Sequence, residues 1–519
     1  MTMSFRDLTD SKGYAICLAG VVISMLLVRY RKRSVSRLPL PPGPSRLPII
    51  GNLLQMPTSH LWEKATEWRK QYGDVVYVEN VGIPTLILNS YEAASELLDK
   101  RSAIYSSRPH VVMTNDLQGW TWATTMLPYG ETLRKHRTYL HRFFQTSEAL
   151  NYVELQERET YVMLNGLLDT PDKYEQHVRR LPGAVILRNV YGYEVQGLKD
   201  PMVELGYKVL RSSSESLEYL YLDFLPWLKY LPEWFPGIKF PRVGREGREI
   251  AENFRSTSVA TGKAQYLASG KECMTSILLA ENALEDGSFI DEDIIWDASS
   301  LAFLGGTDTS VTAIMTFILA MLKNPDKQRR AQEEIDAVIG PDRLPNLSDK
   351  DSLPYIQAIC TETLRWEVVL PLALPHYLTD EDEYMGYRIP AGSMILANNW
   401  AISRDPALYP DPLSFKPERW IPGGTKEGVP NLRSEDFAFG FGRRICPGQN
   451  WAEHIIFQAV ASILATFTIE KAVEPDGKPI APNDNFHPSP VRTLGGSQCT
   501  ISPRSEKAAL LIRQAFATL

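Results

Sequence analysis

The sequence has few cysteines and no excess of basic residues, and both shortages limit what the protein can be. Its 519 residues include five cysteines, which are widely spaced and form no C-x-x-C pair. This pattern indicates neither a disulfide framework nor a zinc cluster, and it favours a reducing compartment. The net charge is −7, whereas a nucleic-acid-binding protein would carry a basic excess. No repeat, low-complexity tract or interior linker appears, so a single large domain is predicted.

The amino terminus carries an uncharged apolar run, residues 14–28, and five basic residues follow it between positions 29 and 37. A cleaved signal peptide, the alternative, has its basic residues before the apolar run. We therefore predict a membrane anchor at 1–33, with a span of about 13–30. Because positive flanks stay in the cytosol, the rest of the chain should face the cytosol. The proline-rich residues 34–48 cannot continue a helix, and they predict a stiff hinge before the large domain at 49–519.

Apolar periodicity in the large domain indicates a mainly α fold with minor β. The patterns predict helices at residues 61–72, 91–100, 294–323 and 449–467, two short strands within 75–88, a loop at 110–127, mostly helix from 129 to 323, and short strands around 376–396.

One cysteine lies among neighbours that suit a metal ligand. Cys446 belongs to the segment that runs from Phe439 to Gly448, FGFGRRICPG, and a helical pattern begins directly after it. Gly442 permits a turn that a Cβ would strain, and Gly448 allows a flat cofactor to approach closely. Arg444 offers a planar fork for a carboxylate. A free cysteine is usually only a small buried hydrophobe, but that role requires none of these neighbours.

This segment resembles, residue for residue, the haem-binding pattern F-x-x-G-x-R-x-C-x-G of the cytochrome P-450 superfamily. The resemblance implies haem b, with iron bound by an axial thiolate from Cys446, Phe439 against the proximal face, and Arg444 on a propionate. It also implies the haem-thiolate monooxygenase fold, a helical body with small β-sheets. The expected activity is monooxygenation of an apolar small molecule with O2.

The predicted helix at 294–323 is interrupted by two glycines, Gly305 and Gly306. Each glycine in a helix interior costs about 1 kcal/mol relative to alanine, so something must approach the backbone, and dioxygen is one candidate. Asp308 and Thr309 supply an acid and a hydroxyl that can relay protons, and the segment fits the family motif A/G-G-x-D/E-T-T/S. A second membrane span and a plain core helix are the alternatives, and acidic residues oppose the first.

Glu362 and Arg365 lie one helical turn apart, where a carboxylate and a guanidinium can meet. This spacing recurs elsewhere in the chain and is weak by itself. The resemblance to the family implies that these two residues and Arg419, in the segment FKPERW, form a buried triad behind the haem. The predicted role of the triad is structural.

Two further residues match positions from which family members hold the haem propionates. They are Arg137, in the pattern W-x-x-x-R, and His376. Leu133 stands at the tryptophan position of that pattern, so an indole N–H donor is absent and haem retention should weaken by about 1 kcal/mol, one net hydrogen bond. The alternative for His376 is a satisfied surface histidine.

The chain contains no flavin or nicotinamide motif, so the resemblance implies that electrons come from a partner, an NADPH-cytochrome reductase with flavin. Arg134, Lys135, Arg137 and Arg142 form a basic stripe that would offer this partner a basic proximal face, although charge runs are usually solvated faces. Resemblance to microsomal members implies a single-pass protein of the endoplasmic reticulum membrane.

The substrate pocket is predicted from five residues: Val111, Ala302, Ser489, Pro490 and Val491. The overall sequence pattern of the chain resembles that of fungal family members that modify secondary metabolites. A terpenoid-like substrate is therefore predicted, with aromatic or indole compounds as the alternative. A haem-thiolate isomerase or dehydratase remains open, but such relatives often lose the acid–alcohol pair, which is present here. A haem-carrying membrane adaptor is the non-enzymatic alternative.

Residues 223–240 concentrate aromatic side chains, among them Trp227, Trp234, Phe235 and Phe240. In membrane-bound relatives this loop dips into the bilayer, and tryptophan suits a membrane interface. Ordinary loop packing is the alternative.

Overall fold

The computed structural model describes residues 38–145, 152–268, 273–426 and 428–519. The predicted anchor at 1–33 and the beginning of the predicted hinge lie outside the described residues. Within them, long helices alternate with a few short strands. The mainly α class with minor β is therefore confirmed.

The long helices are α1 (Leu61–Tyr72), α2 (Glu131–Phe144), α3 (Tyr152–Asp169), α4 (Tyr174–Tyr191), α5 (Pro201–Glu215), α6 (Phe240–Ala268), α7 (Met274–Glu281), α8 (Glu292–Lys323), α9 (Pro325–Val338), α10 (Pro354–Trp366), α11 (Gln449–Thr466) and α12 (Glu506–Ala517). The strands are β1 (Val75–Asn80), β2 (Ile83–Leu88), β3 (His376–Tyr377), β4 (Asp382–Tyr384), β5 (Tyr387–Ile389), β6 (Met394–Ala397), β7 (Phe467–Lys471) and β8 (Cys499–Pro503).

The larger sheet has the strand order β1-β2-β6-β3. The predicted strand pair within 75–88 is present, and its antiparallel register places Val76 opposite Ile87. Val81 and Gly82 form its two-residue turn, both with positive φ (48° and 86°), as the twist of a tight hairpin requires. β2 pairs in parallel with β6, which pairs antiparallel with β3. The sheet thereby brings His376 to the large domain's interior, where it is 3% exposed.

The chain divides into two compact units. The described part of the smaller unit consists of residues 38–41 and Glu381–Ile389, where β4 and β5 form a hairpin with Tyr384 opposite Tyr387. In this unit the Arg388 N–H donates to the Pro39 carbonyl at 2.8 Å. The larger unit consists of Pro42–Asp380 and Pro390–Leu519. All the residues discussed below belong to the larger unit.

Helix α8 runs through the hydrophobic core of the larger unit and packs against α2, α4, α6, α7, α10 and α11. Its apolar residues lie on every side of the helix axis, which is typical of a fully surrounded helix. Among the described residues it is the one helix long and apolar enough to cross a membrane, and 67% of its apolar stretch is buried inside the protein. This burial identifies α8 as a core helix, not a second span.

The prediction of a loop at 110–127 is wrong in part. A helical turn occupies Val112–Leu117 and a second occupies Trp120–Trp122. Val112 and Met113 are buried against Leu222 and Phe240. Contacts with residues distant in the sequence therefore stabilise helical turns in a segment rich in Thr and Trp. Local sequence patterns do not reveal such contacts.

Candidate active site

The loop that carries Cys446 is closed by its own backbone. The Cys446 N–H donates to the Phe439 carbonyl at 2.8 Å, and the chain between them turns through Gly440 (φ 83°) and Gly442 (φ 51°). A Cβ on Gly442 would stand 2.4 Å from the Leu98 carbonyl oxygen. Glycine is therefore required at this turn both for its conformation and for the close approach of the neighbouring backbone.

The Cys446 thiol is partly buried, and burial raises its pKa, while the Gly448 N–H and the positive charge of Arg137 act in the opposite direction. Helix α11 begins three residues after this cysteine, and the start of a helix carries partial positive charge. Burial prevails and the pKa of this thiol is raised, but the backbone N–H groups and Arg137 offset part of the rise in favour of the thiolate, the form in which cysteine binds metals.

Four cationic or basic side chains lie together near this loop: Arg444 and His376, which are buried, and Arg108 and Arg137, which are partly buried. We call them the cationic cluster. Burial lowers the pKa of each, and for Arg108, Arg444 and His376 the neighbouring arginines lower it further; the pKa of Arg444 falls to about 10. Within the described ranges, none of the three guanidinium groups has a carboxylate partner. Buried cations without counter-charges are costly, so the cluster requires an anionic partner.

The hydrogen bonds of the cationic cluster leave donors free. Arg444 donates to the carbonyls of residues 106, 124 and 127 (2.7, 3.2 and 2.5 Å), which leaves two of its five N–H groups. Arg137 donates to the Ile445 carbonyl at 2.9 Å. The Nδ1 of His376 bonds the Tyr105 carbonyl at 2.8 Å. The remaining N–H groups can serve a carboxylate pair such as the two haem propionates.

Sequence reasoning missed Arg108. Its Nη1 donates to the carbonyls of Leu374 and Pro375 (2.9 and 2.6 Å), and its Nε is buried without a partner. No sequence signal marks this residue, because it lies in a loop between serines and a proline and belongs to no motif that we recognise. An orphaned buried guanidinium N–H is what a missing anion would leave.

The residues around Cys446 therefore fit a haem. Within the described ranges, no group of three His, Cys, Asp or Glu side chains could hold a bare metal ion. The cationic cluster supplies counter-charges for two propionates.

The glycine pair of α8 has two different causes. A Cβ on Gly306 would stand 3.1 Å from the Cδ1 of Ile186 in α4, so tight helix packing explains that glycine. A Cβ on Gly305 would meet no atom within 4 Å, although the helix is otherwise surrounded. Thr309 Oγ1 donates to the Gly305 carbonyl at 2.9 Å. Open space therefore lies beside the backbone at Gly305 and Thr309.

The acid and the hydroxyl of the predicted pair make separate contacts. The Thr309 hydroxyl bonds the backbone of α8, whereas Asp308 interacts electrostatically with Arg179 of α4. Burial raises the pKa of Asp308, and Arg179 opposes the rise. The charge of Asp308 in turn contributes, after burial, to the raised pKa of Tyr207. Asp308 thus lies between the interior and a partly exposed arginine.

The three residues of the predicted triad lie together in the core. Both oxygens of the Glu362 carboxylate accept from Arg365 (2.8 and 2.9 Å) and from Arg419 (3.2 and 3.1 Å). The Trp420 indole and the Lys416 backbone N–H also donate to it (2.9 and 2.8 Å). Glu362 and Arg365 are 0% exposed, so this is a fully buried, fully hydrogen-bonded ion network.

The predicted pocket residues are distributed among three segments. Val111 precedes the helical turn at 112–117, and its N–H donates to the Asn115 side chain at 2.8 Å. Ala302 lies one turn before Gly305 on α8 and is partly exposed. Ser489 and Val491 are partly exposed, and Pro490 is exposed. The described contacts do not join these segments to one another.

The predicted basic stripe is partly neutralised. Lys135 pairs with Asp291 at 2.9 Å, and Arg142 pairs with Glu281 at 2.6 Å. Arg137 belongs to the cationic cluster. Arg134 is exposed and stacks on Tyr129, as does Arg443. The exposed cations beside the cysteine loop are therefore Arg134 and Arg443, fewer than the sequence suggested.

Most of the predicted segment 223–240 is exposed; we call residues 216–238, which include the turns that lead into it, the aromatic segment. Trp227, Tyr230 and Trp234 are 60%, 79% and 79% exposed, and Phe235 is 44% exposed. Phe240 is fully buried, so this member of the predicted aromatic group packs in the core. Exposed apolar patches of this kind mark interaction or membrane surfaces.

Comparison with known proteins agrees with this site. The family model for cytochrome P-450 matches residues 41–491. A cytochrome P-450 monooxygenase of Armillaria gallica is 38% identical over 96% of this chain and 99% of its own length. One of Coprinopsis cinerea is 37% identical over 98% of this chain and 100% of its own length. A third, of Postia placenta, is 36% identical over 96% and 95%.

A helical body with a cysteine on a glycine-turned loop defines a haem-thiolate class of protein. The chain belongs to the cytochrome P-450 family. It is therefore an oxidoreductase of a family whose members use a haem with iron and an axial cysteine thiolate, together with O2 and a redox partner reductase.

Proposed function

We propose that this protein is a membrane-anchored monooxygenase in which Cys446 is the axial ligand of the haem iron. The cationic cluster carries the proposal, because buried and partly buried cations without carboxylate partners, beside a partly buried thiol, call for a dianionic, metal-bearing group. Arg108, Arg137, Arg444 and His376 hold the propionates. Phe439 and Gly448 flank the sulfur, and Gly442 fixes the loop.

When bound, the haem activates O2, so that one oxygen atom enters a C–H bond of the substrate and the other leaves as water, with two electrons and two protons consumed. The open space at Gly305 accommodates a small molecule beside α8. The Thr309 hydroxyl, held by the Gly305 carbonyl, carries a proton at the edge of this space. Burial raises the pKa of the Asp308 carboxyl, so Asp308 exchanges protons with the surface on the side of α4, where the permanently charged Arg179 acts only through its charge.

The proton assignment predicts that Thr309→Ala keeps its haem but releases more peroxide per NADPH, by about tenfold, because general acid–base groups contribute at least this factor. Peroxide and NADPH are measured in the same reaction. Thr307→Ala is the matched control, since the Thr307 hydroxyl also bonds a carbonyl of its own helix, that of Phe303 at 2.6 Å, but packs toward α4. Equal peroxide release from both variants would contradict the assignment.

The proposed electron donor is an NADPH-cytochrome reductase that docks beside the cysteine loop. Arg134 and Arg443 are the exposed cations there, and an acidic partner suits them. The proposed location is the endoplasmic reticulum membrane, with one span at about 13–30, a hinge at 34–48 and the catalytic domain at 49–519 in the cytosol. The aromatic segment, with exposed Trp227 and Trp234, supports a second contact with the membrane.

The proposed substrate is an apolar small molecule of fungal secondary metabolism, terpenoid-like. Curated relatives from three fungi support a fungal type of enzyme. Val111, Ala302 and Ser489–Val491 are the proposed pocket residues. The presence of Asp308 and Thr309 beside open space favours oxygen activation over isomerase or dehydratase chemistry.

A carbon monoxide difference spectrum of the reduced full-length protein tests the thiolate assignment. The wild-type protein should show the absorption band of a thiolate-ligated ferrous carbonyl, and Cys446→Ser should lose it. Cys360→Ser is the matched control, because Cys360 is also partly buried and burial raises the pKa of its thiol to about 12, but it lies outside the loop. A wild-type protein without this band would overturn the proposal.

A further inference from the structure

Arg492 is a buried cation outside the cationic cluster. It is 8% exposed, and its Nη1 lies 2.5 Å from the Glu367 carboxylate. Its guanidinium lies over the rings of Trp400 and Phe486, at 4.6 and 4.3 Å from their centroids. A planar guanidinium stacked on aromatic rings and paired with a carboxylate has one orientation. Arg492 is thus held rigidly, although no step of the reaction uses it.

The loop around Arg492 has two limbs that pair with each other. Phe486 bridges to Leu494, and the His487 N–H donates to the Thr493 carbonyl at 2.9 Å. The tip between them contains the proposed pocket residues Ser489 to Val491. Because Arg492 lies on one limb and stacks on Phe486 of the other, its side chain fixes the two limbs together.

The same residue attaches the tip to a second segment. The Arg492 N–H donates to the Val369 carbonyl at 2.9 Å. This segment begins at Glu367, directly after α10, and ends at His376 of the cationic cluster. Between them, Val369, Leu370, Leu372 and Leu374 are apolar but only partly buried. The segment thus offers apolar side chains within a few residues of the proposed haem site.

We infer that Arg492 is a positioning residue that clamps the tip at Ser489–Val491 against the Val369–Leu374 segment and so shapes the pocket for bulky apolar substrates. The inference rests on the proposed function, since the pocket is defined by the haem. Arg492 acts through the position of these two segments. Glu367 is its anchor, at the fixed end of the helix that carries Glu362 and Arg365.

The test compares a small and a bulky haem ligand, imidazole and clotrimazole, through the Soret shift that each produces in the full-length holoprotein. In Arg492→Met and Arg492→Lys, clotrimazole should bind about tenfold more weakly because the apolar wall is no longer preorganised, whereas imidazole affinity should stay unchanged. Glu367→Gln should reproduce the effect. The double variant Arg492→Met with Glu367→Gln should add nothing, because the two residues act as one unit.

Arg404→Lys is the matched control. Arg404 shares Glu367 (3.3 Å) and lies over Trp400. It affects the loop at 486–494 only through the repulsion between its charge and that of Arg492, and lysine keeps that charge, so both affinities should stay as in the wild type. The inference is overturned if both ligands weaken equally, if neither does, if Arg404→Lys mimics Arg492→Lys, or if all variants at 492 and 367 lose the haem. Loss of the carbonyl band in the wild type would instead refute the proposed function.

Discussion

The surroundings of Cys446 and the aromatic segment differ in which groups they bury and which they expose. Around the cysteine, cations and polar groups are buried and hydrogen-bonded by backbone carbonyls, as in Arg444 with its three acceptors. In the aromatic segment, large apolar groups such as Trp234 are exposed. The first region lacks an anion and the second lacks an apolar cover. The described residues thus leave each region without a partner, an anion beside Cys446 and an apolar cover over the aromatic segment.

The two regions also differ in the interactions that attach them to the rest of the protein. The aromatic segment is attached to the turn at 112–117 by apolar contacts, such as those of Leu222 with Val112 and Met113, and by a few polar contacts. Asp223 accepts from the Val112 N–H at 2.7 Å, Asp116 pairs with Lys229 at 2.8 Å, and Ser216 bonds Thr114 at 3.1 Å. Partly exposed ion pairs stabilise little. The haem side should therefore be rigid and the aromatic segment easier to displace.

The largest expected effect comes from breaking the buried network of the rigid region. Glu362→Gln leaves Arg365 and Arg419 buried without their counter-charge and should destabilise the protein by about 3–5 kcal/mol, measured by thermal unfolding. Glu333→Gln is the control, because Glu333 faces Arg329 at 3.9 Å with both side chains exposed, and such pairs contribute almost nothing. Similar melting temperatures for the two variants would contradict a rigid haem side.

A second substitution should stabilise the haem-free protein but weaken haem retention in the haem-loaded protein. Arg108→Gln removes one of three mutually repelling guanidinium groups, so the haem-free protein should become more stable. The haem-loaded variant should lose its haem about tenfold faster to an acceptor such as apomyoglobin, since it lacks a charge-assisted hydrogen bond. Arg142→Gln, a surface cation paired with Glu281, should change neither. A haem-free Arg108→Gln protein that is less stable than the wild type would show that the cluster does not need an anion.

The contrast between Arg108 and Cys446 shows which parts of the site could be predicted from the sequence. The loop of Cys446 could be predicted because one chain segment supplies the cysteine, the turn glycines and the arginine at fixed offsets. The mainly helical class, α1 and the β1–β2 hairpin could be predicted from the periodicity of their apolar residues, and α8 from its long apolar composition. Arg108 could not, since only the tertiary fold brings its loop beside Arg444 and His376. For the same reason the helical turn at 112–117, which depends on Leu222 and Phe240, was missed.

A smaller effect depends on pH and concerns the attachment of the aromatic segment. Burial raises the pKa of Asp223 to about 6, above its value of about 3.9 in an unfolded chain. The folded state therefore binds the extra proton, and the stability contribution of Asp223 is lost as pH rises from about 4 to about 6. Asp223→Asn keeps an acceptor for Val112, so relative to the wild type it should be more stable at about pH 7 than at about pH 4, by about 1–3 kcal/mol.

Asp116 also attaches the aromatic segment, and its contribution to stability should depend on pH in the opposite direction, so it serves as a control. Burial acts to raise its pKa, but hydrogen bonds from Lys229 and His110 outweigh it and the pKa is lowered. Its contribution is present at neutral pH and is lost as pH falls, so Asp116→Asn should be less stable than the wild type at about pH 7. Thermal unfolding of both variants across this pH range measures the two slopes, and slopes of the same sign would refute the assignment.

The smallest expected effect is a change in tryptophan fluorescence quenching, which tests whether a bilayer covers the aromatic segment. If a bilayer covers it, brominated lipids in nanodiscs should quench part of the tryptophan fluorescence of the full-length protein, and Trp227→Phe with Trp234→Phe should remove most of the quenched part. Trp451→Phe is the control, because Trp451 is 2% exposed and lies in the core. Exposed tryptophans suit the interface depth at which such quenchers act. Unchanged quenching in the double variant would mean that the aromatic segment stays in water, and the two regions would then differ only in the cofactor that one of them lacks.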